Sequence, residues 1–200
     1  MNKKSDMLYT INGNDEIVSV SKYWAEFADC NDAPELSTGK VLNRRLWEFI
    51  TDDTTQEVYR KIVDKVRGGK TVAFNFNCDA PAYRRVLEMT VSLLEDGNVQ
   101  FETREILAEE RIRQNVFQNG IERSASIITV CSWCKKFDAQ DGNWLEVEEA
   151  VLKLNLFEME KLPQLSHGMC LSCYQLISGD YQDASAENAS VINLTGVNLN

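Results

Sequence analysis

Two pairs of cysteines constrain this chain more than any other feature of its sequence. Cys131 and Cys134 enclose two residues, and so do Cys170 and Cys173. Each C-x-x-C pair can wrap a tight turn that directs both sulfurs at one ion, and four thiolates suit the tetrahedral geometry of Zn²⁺. A single pair would leave thiol redox chemistry equally open. Together the pairs predict a zinc site formed by Cys131, Cys134, Cys170 and Cys173.

The single histidine of the sequence, His167, lies three residues before Cys170. It could replace one sulfur, or it could orient a ligand by donating a hydrogen bond to a cysteine or to a backbone carbonyl. We favour four cysteines because four sulfurs already complete the tetrahedron. Such a shell leaves no position for a reactive water, so the expected role of Zn²⁺ is structural. A module of about 50 residues also buries too little apolar surface to fold alone, which favours the same role.

The 35 residues between the two pairs are too many for a simple zinc ribbon and must contain further structure. Asp141-Gly142 is typical of a hairpin turn. Apolar residues recur at helical spacing in residues 147–157 and predict a helix. Residues 166–174 predict a loop that enters a final helix, whose N-terminal dipole would favour thiolates.

The order of cysteine knuckle, hairpin and cysteine-bearing helix resembles a treble-clef zinc module with an added helix. Residues 125–178, with their C-S-W-C-K and S-H-G-x-C-x-x-C-Y sequences, are also similar to a C-terminal extension of bacterial PAS and response-regulator proteins. The resemblance implies that the same four cysteines are the ligands. We place the zinc module at residues 127–180 and expect Trp133 and Trp144 to pack around its metal.

Residues 8–108 alternate between strand-like and helix-like patterns. A strand and a short helix come first, and Thr51 then begins a stronger helical pattern that ends at Gly68-Gly69. Three segments with strand-like alternation follow, and Asp96-Gly97 predicts a hairpin between the last two. The sequence therefore predicts an α+β domain in which one antiparallel sheet carries its helices on one face.

This order of elements resembles the PAS domain over residues 8–108, as does the opening stretch NGNDEIVSVSKYWAEFA. Residues 78–89 are similar to one branch of bacterial PAS proteins, and we expect Arg84 and Arg85 to lie on solvent there. The resemblance implies a ligand cavity between sheet and helices, with the ligand unknown. Haem usually needs an axial histidine, which residues 8–108 lack, and residues 41–47 lack the cysteine of LOV-type flavin photoreceptors.

Two further segments differ in composition from these domains. Residues 109–126 are charged, with apolar residues at wide helical spacing, and are predicted to form a helical linker rather than a coiled coil. Residues 181–200 are rich in Ala, Ser and Asn and are predicted to be a disordered tail.

Charge and targeting signals restrict the partners of the chain. Acidic residues outnumber basic ones by 31 to 21, and the net charge of −10 disfavours nucleic acid and anionic membranes. The N-terminal residues lack the apolar run of a secretory signal, and no stretch is apolar for long enough to span a membrane. We therefore expect a cytoplasmic protein, in which cysteines serve as metal ligands rather than as structural disulfides.

These features favour a cytoplasmic, non-catalytic signalling sensor or adaptor. The PAS-like domain would sense a ligand, a redox state or a partner, and the zinc module would relay the signal to a protein partner. Analogy with PAS domains also implies a homodimer. The alternative is a thiol redox switch, in which oxidation of the two C-x-x-C pairs expels zinc. Nucleic-acid binding through the zinc module ranks last, because acidic residues outweigh the lysines around it.

Overall fold

The computed structural model describes residues 7–30, 34–178 and 191–194. The strands of its first sheet are β1 (Met7–Ile11), β2 (Ile17–Val20), β3 (Thr71–Asn77), β4 (Tyr83–Leu93) and β5 (Val99–Glu110). These five strands pair antiparallel in the order β2-β1-β5-β4-β3. The prediction of an α+β domain with an antiparallel sheet is confirmed.

The segment between β2 and β3 contains the helices of this domain. They are α1 (Trp24–Cys30), α2 (Thr38–Val41) and α3 (Asp53–Arg67), with 3-10 turns at Pro34–Leu36 and Leu46–Glu48. The N-cap of α3 is Asp52, whose carboxylate accepts a hydrogen bond from the backbone N–H of Thr55 at 2.7 Å. One face of α3 is buried against the sheet through Val58, Ile62, Val63 and Val66. The predicted helix therefore lies where the sequence pattern placed it.

The hairpin predicted at Asp96-Gly97 joins β4 to β5. Gly97 has φ +82°, a left-handed conformation that glycine adopts without steric cost. The two strands pair from Leu93 with Val99 outward to Tyr83 with Glu110, which is further than the alternation in the sequence extends. Their outer ends consequently reach the C-terminal part of the molecule.

The second sheet lies in the C-terminal part. Its strands are β6 (Ile127–Cys131), β7 (Phe137–Asp138), β8 (Trp144–Leu145) and β9 (Gln164–Gly168), in the order β8-β7-β6-β9. β7 and β8 form the predicted hairpin, in which Gly142 has φ +84°. β6 and β9 are parallel and pair over five residues, from Ile127 with Gln164 to Cys131 with Gly168.

The helix between β8 and β9 is shorter than predicted. α4 (Val147–Lys153) buries Val147, Ala150 and Val151, as the apolar spacing indicated. It ends because Asn155 adopts φ +51°, a left-handed conformation that asparagine tolerates at helix ends. Phe157, the last residue of the predicted apolar stripe, is 67% exposed.

The prediction of a helical linker at residues 109–126 is wrong. Glu109 and Glu110 still belong to β5, and among the described residues 111–126 the helical structure is one 3-10 turn at Asn115–Phe117. Backbone N–H groups of this segment donate to the β3–β4 loop instead, Arg111 N to Ala82 O at 3.0 Å and Gln114 N to Pro81 O at 2.7 Å. Tertiary hydrogen bonds therefore replace the helical ones.

The prediction of a disordered tail is wrong for four residues. β10 (Val191–Leu194) pairs parallel with β3 and makes the first sheet six-stranded. The unpaired edge of β3 offers backbone donors and acceptors, and the sequence V-I-N-L suits a strand. The rest of residues 181–200 lies outside the described residues.

The two parts of the chain share one hydrophobic core. The buried cluster that contains Phe74 and Val58 of the first part also contains Cys131, Trp133 and Cys173. A second cluster joins Val116 of the 109–126 segment to the apolar residues of β6, β7 and α4. Of the helices in the described residues, none is long and apolar enough to cross a bilayer.

Candidate metal centre

The first cysteine pair lies on the turn between β6 and β7. Cys131 is the last residue of β6, and its backbone N–H donates to the carbonyl of Lys136 at 2.7 Å. The N–H of Lys135 donates to the carbonyl of Cys131 at 3.0 Å, and Lys135 adopts φ +60° to close the turn. This compact knuckle turns the sulfurs of Cys131 and Cys134 to the same side.

The second pair lies where β9 leads into α5 (Leu171–Ser178). The backbone N–H of Cys173 donates to Cys170 Sγ at 3.4 Å, as expected for a thiolate at a helix N-terminus. The N–H of Cys170 donates to Cys131 Sγ, also at 3.4 Å. These N–H to sulfur hydrogen bonds connect the second pair to the first.

Gly168 allows the two pairs to approach each other. It lies opposite Cys131 in the parallel β6–β9 pairing, and its carbonyl accepts a hydrogen bond from Ser132 N at 2.8 Å. A Cβ atom at this position would lie 3.1 Å from Cγ2 of Thr129. The glycine of the S-H-G-x-C sequence therefore keeps the two strands in close contact beside the sulfurs.

The four sulfurs form one cluster, in which all Sγ atoms lie within 4.8 Å of one another. Cys134 Sγ and Cys170 Sγ are 3.8 Å apart. A tetrahedral ion with Zn–S bonds of about 2.3 Å separates its sulfurs by about 3.8 Å, so this edge has the length that a bound ion requires. Cys131, Cys170 and Cys173 are buried and Cys134 is half-buried. The four residues thus fit a tetrahedral metal ion.

Hydrogen bonds among the four thiols shift their pKa values in opposite directions. Bonds from Cys134, Cys170 and Cys173 hold the pKa of Cys131 well below its usual value. The bond to Cys131 raises the pKa of Cys134. Four thiolates this close repel one another unless a cation neutralises them, which is what a coordinated divalent metal does. A set of four sulfurs in tetrahedral geometry suits zinc or iron.

His167 lies outside the sulfur cluster. It pairs with Val130 one position before the end of the β6–β9 ladder, and its side chain is exposed. The metal-ligating group that the described residues form contains the four cysteines alone. Burial of part of the ring, together with the charge of Lys135, lowers the pKa of His167. The imidazole instead lines a cavity next to Ser132.

Trp133, which was expected to pack around the metal, lies in one buried cluster with Cys131 and Cys173 and also points into the first domain. Its Nε1–H donates to the carbonyl of Asn75 in β3 at 2.9 Å, and its ring centroid lies 4.5 Å from that of Phe74. The side-chain N–H of Asn77 donates to the carbonyl of Cys134 at 3.1 Å. The knuckle is therefore attached to β3 through Trp133 and Cys134. No pattern in the sequence indicated this contact.

A charged cluster makes a second connection between the parts. Arg84, which was expected on solvent, lies 3.4 Å from Glu148 and 3.6 Å from Glu146, at the start of α4. Arg85 was expected there too, but its Nε–H donates to the carbonyl of Cys78 at 2.7 Å. Arg84 keeps 36% of its side chain exposed in these ion pairs, so the prediction is wrong for Arg85 alone, whose guanidinium bonds to the loop between β3 and β4.

Beneath these contacts lies a buried ion pair. Arg111 Nη1 is 3.0 Å from a carboxylate oxygen of Asp79, and the side chains are 9% and 4% exposed. Arg111 also donates to the carbonyl of Ala80 and stacks its guanidinium 5.2 Å from the ring centroid of Phe117. Burial raises the pKa of Asp79, and the charge of Arg111 opposes that rise.

The chain was compared with protein-family models, curated proteins and solved structures. No family model matches the chain, and no curated protein matches it. A crystal structure of a sensory box sensor histidine kinase from Vibrio cholerae is similar at 14% sequence identity and a TM-score of 0.39, covering 54% of this chain and 86% of that chain. A TM-score this low carries no argument about function. The fold and the site themselves define an α+β protein with a four-cysteine cluster that could hold a metal ion.

Proposed function

We propose that this chain is a non-catalytic sensor or adaptor of a signalling system, in which a PAS-like domain is joined to a structural zinc module. The observation that carries the proposal is that the four clustered cysteines belong to the same hydrophobic core as the first sheet. An ion held by these sulfurs would stabilise both parts of the molecule. A change in the first domain would in turn reach the zinc module without a flexible linker.

The arrangement of the first domain supports its PAS-like character. Five antiparallel strands in the order β2-β1-β5-β4-β3, with all the helices of this domain between β2 and β3, agree with the order of elements on which the resemblance rests. In such a domain the helical side of the sheet receives the signal. Here the same side is also in contact with the knuckle, because Trp133 packs on Phe74 and Tyr59.

Four thiolates would give zinc a saturated coordination shell and a folding role. A catalytic zinc keeps one open position for water or substrate, which a four-sulfur shell does not supply. Thiolates of this kind persist in a reducing compartment, so the proposed location is the cytoplasm. The expected partner is a protein rather than nucleic acid, given the net charge of −10.

Metal analysis of the purified chain tests the zinc assignment. We expect one zinc per chain by plasma mass spectrometry, and we expect Cys131→Ser to lose both the zinc and much of the thermal stability. Cys78→Ser is the matched control, because Cys78 is a free cysteine outside the sulfur cluster. If Cys131→Ser kept its metal content and its melting temperature, the proposed structural zinc would be excluded.

Hydrogen exchange tests the relay. Removal of zinc by a chelator should increase amide exchange in β3 and α3 as well as in residues 127–178, because the two parts share a core. A response confined to residues 127–178 would contradict a relay between the domains, whatever the metal content.

A redox switch remains a second candidate because of one observation. Cys134 is the least buried of the four cysteines, and its sulfur lies 3.8 Å from that of Cys170. A peroxide could oxidise this pair: the two thiolates lose two electrons and form an S–S bond, and the peroxide takes up two protons and leaves as two waters. Zinc release in step with disulfide formation, measured by a chromogenic chelator and by mass, would favour the switch over a permanently structural site.

A further inference from the structure

A groove of about 300 Å³ lies in the second part of the molecule, outside the first domain. Its lining residues come from two stretches, residues 114–122 of the segment after β5 and residues 151–162 around the end of α4. The described residues that line it include none of the four clustered cysteines, so the groove is separate from the sulfurs. Its volume is at the lower end of the range of about 300 to 1,000 Å³ that is typical of binding pockets.

The apolar interior of this groove is held in place by the fold. Val116, Val151 and Leu156 line the groove and belong to the buried cluster under the second sheet. Arg123 ties the two stretches together, because its Nη1 donates to the carbonyl of Pro163 at 2.7 Å and its Nη2 to the carbonyl of Val116 at 2.9 Å. A groove fixed in this way needs little ordering when a partner binds, which favours affinity.

Two large apolar side chains at the edge of the groove face solvent. Phe157 is 67% exposed and Met159 is 43% exposed, and both belong to the lining. Single exposed apolar residues are common, but apolar residues that continue an apolar groove are typical of interaction surfaces. Aromatic residues dominate the energy of many interfaces, and methionine adapts its shape to a partner. Phe157 and Met159 therefore suit contact with another molecule.

The charged residues at the groove are mainly acidic. Glu122 and Glu160 line it, and the described lining contains no lysine or arginine. Glu122 is paired with Lys161 at 2.6 Å, whereas Glu160 and the adjacent Glu158 are exposed and make no ion pair within the described part of the chain. Arg113 is near the other stretch, where it donates to a side-chain amide at 3.3 Å. The exposed apolar pair therefore lies beside two carboxylates that lack a cation.

This combination favours a basic, amphipathic partner. An apolar side chain can enter the groove, and lysine or arginine residues beside it can pair with Glu158 and Glu160. An anionic bilayer would bring like charges together, and so would a second copy of this chain that used the same groove. The described lining contains no residue of a strand, so a bound segment does not extend a sheet, and a helix in the groove is the mode of recognition that remains.

We propose that this groove docks an amphipathic, basic helix of a partner protein, with an apolar side chain of the helix in the groove and its basic residues against Glu158 and Glu160. The inference deepens the proposed function and rests on it, because it assigns the surface through which the adaptor contacts its partner.

A short peptide of leucine and lysine, LKKLLKLLKKLLKL, is a suitable probe, with the glutamate peptide LEELLELLEELLEL as its acidic counterpart. Fluorescence anisotropy with the full-length chain should show binding of the lysine peptide. The glutamate peptide should bind more weakly by about tenfold or more, because its carboxylates would face those of the groove.

Paired variants test the apolar contact. Phe157→Ser/Met159→Ser should weaken binding of the lysine peptide by about tenfold, through the loss of both exposed apolar side chains. Leu93→Ser/Ile127→Ser is the matched control, because it removes two similarly exposed apolar residues that do not line the groove. It should leave the affinity within about twofold of the unchanged chain.

A second set of variants tests the charge contact. Glu158→Gln/Glu160→Gln should weaken binding of the lysine peptide by about fivefold at low salt and by less at about 150 mM salt, because exposed ion pairs are screened. Glu95→Gln/Glu109→Gln removes the same charge from exposed positions outside the groove. This control separates pairing at the groove from the general attraction of a basic peptide to an acidic chain.

Three results would overturn the docking surface: no binding of the lysine peptide, equal binding of the glutamate peptide, or equal effects within either matched pair of variants. Binding to phosphatidylglycerol vesicles that Phe157→Ser/Met159→Ser abolishes would also overturn it, in favour of a membrane contact. Metal content separates this inference from the proposed function. A zinc-loaded chain that does not bind the peptide overturns the docking surface alone, whereas a metal-free chain that binds it refutes the zinc function and leaves the docking surface intact.

Discussion

Thr55 is a buried polar residue in the first turn of α3. Its backbone N–H donates to the carboxylate of Asp52, the N-cap of α3, yet its hydroxyl is buried and has no hydrogen-bond partner among the described residues. Leaving such a group unsatisfied costs about 1 to 3 kcal/mol, whereas an apolar group of the same shape avoids the cost. No pattern in the sequence indicates that this hydroxyl is buried, because burial of a hydroxyl depends on tertiary packing.

We therefore expect Thr55→Val to raise the free energy of unfolding by about 1 kcal/mol. Urea denaturation of the zinc-loaded chain measures this change. Thr54→Val, at the neighbouring position of α3, should stay within about 0.5 kcal/mol of the unchanged chain. A clear destabilisation by Thr55→Val would mean that the hydroxyl is hydrogen-bonded in solution.

At the scale of elements, local patterns predicted those segments whose structure is decided locally. α3 has a capping residue, an amphipathic repeat and terminal glycines, and the β4–β5 hairpin has alternating strands around Asp96-Gly97, so both were recognisable. The 109–126 segment was not, because its wide apolar spacing fits a helix while its hydrogen bonds go to the β3–β4 loop. β10 was missed for a similar reason, since four residues form a strand only against an available edge.

The 109–126 segment, which was predicted to be a helical linker, depends on Arg111 at the end of β5. Arg111→Met would leave the carboxylate of Asp79 buried without its cation, and we expect a loss of about 3 to 5 kcal/mol at neutral pH. Burial already raises the pKa of Asp79, and loss of Arg111 would raise it further. A carboxyl with a raised pKa in the folded state favours folding at low pH and disfavours it as the pH rises through that pKa. The deficit should therefore shrink towards about pH 4.

Unfolding free energies measured between acidic and neutral pH check this prediction. Arg113→Met is the matched control, since Arg113 is exposed and contacts Gln118 at 3.3 Å, and it should cost no more than about 0.5 kcal/mol. A deficit of Arg111→Met that stayed constant with pH would show that the carboxyl of Asp79 is not its origin.

For the whole molecule, the sequence predicted the four cysteines that meet but not how their module is attached. Spacing alone indicated that the two C-x-x-C pairs could converge, and the structure brings their sulfurs within 4.8 Å of one another. The insertion of Trp133 between β3 and α3 depends on which surfaces the two parts present to each other, and a single sequence does not carry that information. The division into separate sensing and relaying domains therefore understated their contact.

We expect Trp133→Ala to cost about 3 to 5 kcal/mol, as for other buried aromatic residues, and to destabilise both parts together. Trp133→Phe retains a ring but loses the Nε1–H bond to Asn75, so it should cost about 1 kcal/mol. Guanidinium unfolding followed by circular dichroism and by zinc release should give coincident transitions in the unchanged chain. Two separate transitions, or a Trp133→Ala variant with unchanged amide protection in β3, would show that the shared core does not couple the parts.

The parallel pairing of β6 with β9 aligns the two cysteine pairs although 35 residues separate them along the chain. Five paired positions fix the register of the two strands, so the sulfurs stay aligned when the exposed segment between α4 and β9 changes in length. The exposed turn around Met159 and Glu160 can accordingly accept a peptide tag or a fluorescent label without moving the ligands. That tolerance offers a practical position for attaching a reporter to the full-length protein.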